Sequence, residues 1–418
     1  MPSEVDLLRS LDAEPRTPST VDVRRAITDG RRRKTRRTVG YAGAATVTAL
    51  AVAGASVAGG LVTDSSPRAG ATGEPPPPTA SAAPKGEFTI PGTPGWSAPV
   101  SPPPSACTLE RLPTPDGEPM ALISGGDPAG RYHVGRSYPK GGGYQAVIWH
   151  DGEPAKVMLP GDLEESLGDV NSSGTAVGWS FAGGGDSGPV PYAYHEGKVS
   201  KLRGVPRGSA LAVNEAGAIV GDDDSGQPLV WPSVTAEPIR LPLPAGASEG
   251  TAVDIDEDGT TVGNVDNSRA YVWFPDGTHR ALPVPDLDGK PGVTTRVFAV
   301  RNGWATGLAS DGEAAKGRAA GAGSVVAVRW NIRTGEAIAF DAVKGSADAV
   351  NAQGWQVGIG QRDRAVLIAG ERTVTLPDLA EPGQLSTIAN TLSDDGRTIA
   401  GQSDDATDTI QAVVWHCQ

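Results

Sequence analysis

Gly168-Asp-Val-Asn171-Ser-Ser-Gly174-Thr-Ala-Val-Gly178 reads as the end of one strand, a polar turn closed by glycine, and a second strand that itself stops at glycine. The pattern returns as Leu211-Ala-Val-Asn214-Glu-Ala-Gly217-Ala-Ile-Val-Gly221, Val253-Asp-Ile-Asp256-Glu-Asp-Gly259-Thr-Thr-Val-Gly263 and Asp348-Ala-Val-Asn351-Ala-Gln-Gly354-Trp-Gln-Val-Gly358. Weaker copies end at Gly135, Gly307 and Gly401, so the seven closing glycines lie 43, 43, 42, 44, 51 and 43 residues apart. A fixed period near 43 marks a repeat architecture built from one supersecondary unit.

Each closing glycine is followed by a loop and then a strand with Ala and usually Trp. Examples are Gln145-Ala-Val-Ile-Trp149, Arg269-Ala-Tyr-Val-Trp273, Val326-Ala-Val-Arg-Trp330 and Gln411-Ala-Val-Val-Trp415. The third copy keeps the Trp but has Pro228 at the Ala position, while the second (Tyr192-Ala-Tyr194) and sixth (Arg364-Ala-Val366) lack the Trp. A turn such as Asp151-Gly152 or Asp276-Gly277 comes next, then a last strand ending in Leu159-Pro160, Leu282-Pro283 or Leu376-Pro377. Four short strands per unit, joined by hairpin turns, make the blade of a β-propeller. Such a unit cannot bury its faces alone and must stack on its neighbours, with alternate residues such as Ala146 and Ile148 packed between blades. The recurring Trp therefore reads as a packing residue rather than a ligand platform.

The seventh copy stops at Trp415-His-Cys417-Gln418, without its Leu-Pro strand, and a stray copy of that strand precedes the first repeat as Ala106-Cys107-Thr-Leu-Glu-Arg-Leu112-Pro113. The N-terminal strand is thus expected to complete the last blade and close the ring. That pairing brings together Cys107 and Cys417, the only two cysteines of the chain, and predicts a disulfide between them. The expected fold class is all-β: a seven-bladed β-propeller over 106–418, closed by an N-terminal strand.

What precedes the ring differs in kind. Residues 1–37 read as a short helical, basic cytoplasmic tail whose Val5, Leu7, Leu8 and Leu11 could dock a partner. The run Arg31, Arg32, Arg33, Lys34, Arg36 and Arg37 leads into Thr38 to Thr63, 26 positions without a charge, expected as one transmembrane helix. The basic run places its start in the cytoplasm and the C-terminal body outside. A cleaved leader, supported by the partial twin-arginine match Thr35-Arg36-Arg37, is the competing reading, but the basic and apolar runs are both long for one. Residues 64–105 hold twelve prolines and read as a disordered Pro-rich linker or stalk. Residues 1–38 carry a net charge of +4 and the remainder −17, so the acidic body argues against a nucleic-acid partner.

The Asn-x-x-Gly-x-Val-Val-Gly and Ala-x-x-Trp pattern resembles the bacterial extracellular HAF-type repeat, named for His-Ala-Phe. Tyr192-Ala-Tyr194 and Arg269-Ala-Tyr271 approximate that signature and no copy has it in full. The N-terminal part resembles actinobacterial membrane-protein starts. The resemblance implies a surface or secreted location and no catalytic residues.

Chemistry is thinly signalled. Asp254, Asp256, Asp258 and Gly259 match the opening of a calcium loop, a weak metal candidate because Val265 stands where the bidentate acid belongs. The same site in other copies is an ordinary turn. The five histidines show no metal-ligand spacing, and His150, His195 and His416 share a turn-proximal surface position. No nucleophile elbow or phosphate loop occurs, and no cofactor is expected. Insertions at Tyr138 to Gly143, Phe181 to Pro191 and Ala309 to Ser324 fall in second-to-third-strand connections and elaborate one face. The expected function is a non-enzymatic, membrane-tethered extracytoplasmic propeller that binds or scaffolds an unknown protein or cell-envelope glycan ligand. The alternatives are a transmembrane sensor coupled to a cytoplasmic partner and an extracytoplasmic glycan-acting enzyme.

Overall fold

A computed structural model describes residues 100–418 except 162–163, 182–187, 288–289, 311–324, 361–363 and 380–386. The expected tail 1–37, membrane helix 38–63 and most of the linker 64–105 lie outside the described residues, as do most of the insertions at 181–191 and 309–324. Among the described residues no helix is long and apolar enough to cross a membrane.

The repeat pattern folds as read, into seven antiparallel four-stranded blades. Blade four shows the unit: Gly250–Ile255, Thr261–Val265, Arg269–Trp273 and His279–Ala281 pair in chain order from the innermost strand outward. Blades one to three span 120–156, 165–201 and 208–240 in the same order. Blades five and six share the 15-residue strand Glu336–Val350, which leaves blade five as its outer strand and enters blade six as its inner one. Blade seven is composite. Its strands Thr387–Leu392, Thr398–Asp404 and Ile410–Cys417 are completed by Cys107–Arg111, with Cys107 opposite Cys417 and the two joined by a disulfide.

The closing glycines have a common steric cause. In every blade the inner strand carries a bulge midway, as between Ile123 and Gly125, Ala252 and Asp254, or Val297 and Ala299. The bulge turns one inner-strand carbonyl onto the partner strand. That carbonyl, from Leu122, Ser166, Ser209, Thr251, Arg296, Ser346 or Ile388, would lie within 3.0 Å of a Cβ at Gly135, Gly178, Gly221, Gly263, Gly307, Gly358 or Gly401 respectively. Space, not backbone torsion, excludes a side chain there.

Trp and Leu-Pro prove to be two halves of one inter-blade contact. Trp149, Trp231, Trp273, Trp330 and Trp415 are fully buried. Their indole Nε1 groups donate to the carbonyls of Pro113, Arg203, Pro242, Pro283 and Pro377 at 2.7–2.9 Å. Each acceptor stands just after the outer strand of the preceding blade. The Leu before it gives the last ladder bond, as Leu282 N–H to Ala270 and Leu376 N–H to Ala365, and proline, having no N–H, ends the ladder. Of the two exceptions, blade six is equally physical. Glu336–Val350 has no Leu-Pro break, so the strand runs on, and blade six, which would have donated to that break, has Ile368 where the Trp would be. The apolar clusters sit between blades, the closing seam included, where Ala400, Ala412 and Val414 of blade seven meet Ile123, Val147 and Trp149 of blade one.

Gly263→Ala drives a methyl into the Thr251 carbonyl and the Trp273 ring. The expected result is a loss of about 1–3 kcal/mol of unfolding free energy by urea denaturation, and an unchanged midpoint would contradict the steric argument.

Candidate functional site: a cup closed at one end

The inner strands of all seven blades line one axial cavity of ≈ 630 Å³. Its two ends differ. At one end lie the turns between first and second strands, and these link hand to hand. Asn171 uses its Oδ1 to accept from Ser173 and Thr175 N–H in its own turn and its Nδ2 to donate to the Asn214 carbonyl of the next blade at 3.0 Å. Asn214 in turn donates to the Asp256 carbonyl, and Asn351 to the Ser393 carbonyl. The 43-residue period is thus also a hydrogen-bond step through space. A second circuit runs beside it: Ser172 N–H to Glu215, Glu215 N–H to Glu257, Ala352 N–H to Asp394, and Asp394 N–H to the Pro128 carbonyl of blade one.

Arg301 ties this end shut. From blade five its guanidinium reaches Asp394 of blade seven, with Nη2 2.6 Å from Oδ2, and also pairs with Glu257 of blade four. Because blade six is skipped, the side chain crosses the end of the channel. Full burial would lower the pKa of Arg301, but Asp394 and Glu257 outweigh it and hold the charge firmly. Among the described residues the channel is therefore a cup, floored by the turns and open on the face that carries the Tyr138 to Gly143 insertion.

The three acids of the calcium-like loop are placed apart in use. Asp254 Oδ2 accepts Val300 N–H of the next blade at 2.7 Å, Asp256 takes Asn302 and Gly303 N–H at 2.8 and 2.6 Å, and Asp258 caps its own turn through Thr260 N–H at 2.9 Å. Backbone donors occupy the carboxylates, and among the described residues no group of three or more His, Cys, Asp or Glu is arranged to hold a metal. His150, His195 and His416 are exposed as expected, whereas His133 is buried and its pKa is lowered to about 4 by that burial.

The upper wall holds the residues that sequence reading passed over. Arg136 is buried to 6% exposure; its Nε donates to the Tyr138 hydroxyl at 3.1 Å, and its guanidinium lies 4.7 Å from the Tyr144 ring centre. Arg296 lies over Phe298, and its Nε is buried without a partner. Burial lowers the pKa of Arg296. Asp348 accepts from Ser346 through Oδ1 while its Oδ2 is buried and unpartnered; burial raises its pKa to about 7. Burial likewise raises Asp222 to about 6, though it accepts from Thr251 Oγ1 at 2.9 Å. A signal for Arg136 and Asp222 was present. The position right after each closing glycine is occupied by Arg136, Asp222, Asn264 and Gln402 in blades one, three, four and seven, all lining the cup. A framework that repeats with a variable polar column inside it is a scaffold displaying a site.

No protein-family model and no curated protein matches the chain, so the HAF-type resemblance rests on the residues quoted for it. Solved structures do match. One of them, described as "YCF48 bound to D1 peptide", aligns over 76% of this chain and 98% of that one, with 12% identity and a TM-score of 0.44.

The cup and the blade seams around it carry a pH signature. Glu165, Asp169 and Asp348 are each raised to about 7 with burial as the first cause, against ordinary values of 4.5 or 3.8. Their contribution to stability is whole below the unfolded value near 4 and is lost as pH rises through about 7. His133 acts in the opposite sense, being stabilising above 6.5 and losing that contribution toward pH 4, but it is one group against several. The thermal midpoint at pH 5.5 is expected to exceed that at pH 8. Asp348→Asn, which removes an unpaired buried charge without changing shape, should raise the pH 8 midpoint. A midpoint that climbs steadily from pH 5.5 to 8 would contradict this assignment.

Proposed function

We propose that the protein is a membrane-tethered, extracytoplasmic binding module that takes its ligand in the open end of the propeller cup. The observation that carries the reading is the blind cavity of ≈ 630 Å³, sized for a small ligand or the end of a chain, with polar groups set in its wall. The rigid, repeated framework around a variable polar column supports display rather than motion. The uncharged stretch Thr38 to Thr63 behind a basic run, and the proline-rich segment after it, support a tether that holds the cup away from a membrane surface. The resemblance to extracellular HAF-type repeats supports the same location.

A second reading, an extracytoplasmic glycan-acting enzyme, is favoured by Asp222 and Asp348, two cup carboxyls whose burial holds their pKa at about 6 and about 7, within the range useful for general acid catalysis. The two readings part on turnover.

Immobilised full-length protein should enrich a component of the cell-envelope fraction. Leu211→Trp, which places an indole at a partly exposed position of the cup wall, should lose that capture while keeping the melting behaviour of the parent. Equal capture by both proteins, or none by the parent, would contradict the binding reading. New reducing ends released from the captured material would favour the enzyme.

A further inference from the structure

The cup wall combines two features that seldom share a cavity without a ligand to join them. Among the described residues Arg136 and Arg296 have no carboxylate partner, although both line the cavity. Arg301, also at the axis, behaves differently, since it spends its guanidinium on Asp394 and Glu257. Each guanidinium is instead backed by an aromatic ring, Tyr144 at 4.7 Å for Arg136 and Phe298 at 5.8 Å for Arg296. An arginine desolvated without an anion is costly, so the pair is set up for anionic groups brought by something else. Arg136 stands on blade one and Arg296 on blade five, three steps apart around a ring of seven, on well-separated walls. A ligand that satisfies both must carry anionic groups at two places.

The rest of the wall limits what those anions can sit on. Asp222 and Asp348 share the cavity, and the Oδ2 of Asp348 is an acceptor with nothing to accept. Acceptors of that kind suit hydroxyl donors and repel a densely charged polyanion. A peptide is disfavoured as occupant because the inner strands, whose free edges face the lumen, are each broken by a bulge and offer no straight edge for strand addition. The floor closed by Arg301 admits a chain end and stops a chain passing through.

We propose that the cup binds the end of an acidic glycan of the uronic-acid class, with carboxylates on neighbouring sugars paired to Arg136 and Arg296 and sugar hydroxyls donated to Asp222 and Asp348. The inference rests on the binding reading above and names its ligand chemistry.

Calorimetric titration of the full-length protein in detergent with digalacturonate tests it, with the neutral disaccharide maltose and the dicarboxylate peptide acetyl-Glu-Glu as comparisons. The expected order is digalacturonate at least tenfold tighter than either, with binding weakened by salt. Arg136→Gln and Arg296→Gln should each lower digalacturonate affinity by about tenfold or more, and the two Arg→Lys variants by less, each still melting cooperatively. If either Gln variant fails to fold, its Lys partner together with the salt dependence decides. Maltose binding as well as digalacturonate, the peptide binding better, or no response to any of the three would overturn the glycan assignment. Envelope capture that Leu211→Trp still abolishes would in that event leave the binding reading standing, so the two failures are distinguishable.

Discussion

Every blade of this molecule leaves two apolar faces that nothing within the blade can cover, and the whole fold follows from having to cover them with the next copy. A line of such units would leave a raw face at each end. The chain removes both ends by lending its first strand, Cys107–Arg111, to its last sheet, beside Ile410–Cys417. The disulfide between Cys107 and Cys417 makes that loan covalent. With it in place the cluster of Ala400, Ala412 and Val414 against Ile123, Val147 and Trp149 is the same kind of seam as the other six, and the blade faces at the closing seam are covered like the rest.

The same closure creates the site. Once seven inner strands face one axis, the turns at one end come close enough for Asn171 and Asn214 to reach the following blade, and for Arg301 to reach across to Asp394. One end is thereby spent on holding the ring together. The other carries less of that duty, and its wall varies from blade to blade: arginine after one closing glycine, aspartate after another and glutamine after a third, while the asparagine after a fourth, Asn264, still bridges to the Val297 backbone of the next blade. Framework and variable surface are separated along the axis of a single cavity, and binding chemistry accumulates where structure no longer constrains the side chains.

The framework was legible in the sequence because each of its signals has one physical cause repeated seven times. A glycine opposite a bulge admits no other residue, so the period can be counted; a missing final strand and a stray one are complementary facts; two cysteines at the ends of the ring leave one pairing. One irregular copy also had a reason, since the lost Trp of blade six goes with the lost Leu-Pro of the strand before it, whereas blade two lacks the Trp behind an intact Leu159-Pro160. The cup was not legible in the same way. Arg296 belongs to no motif, and which residues of a bulged strand face the axis depends on a register that only the assembled ring defines. The acidic loop at Asp254, Asp256 and Asp258 resembled a cation site because aspartates that cap turns and span blades share their spacing with aspartates that ligate. Their carboxylates meet backbone N–H groups of two blades instead. The segments expected to tether the ring, 1–37, 38–63 and 64–105, rest on composition and charge asymmetry.

Head-to-tail closure is the claim on which the cup, its floor and its wall all stand. Native-state hydrogen exchange addresses it residue by residue. The amides of the first strand, Thr108–Arg111, should exchange as slowly as those of Val413–Trp415 and of the inner strands, all opening in one cooperative step. Rapid exchange at Thr108–Arg111 while the remaining blades stay protected would show that the first strand is not part of the last sheet, and the closed ring would have to be abandoned.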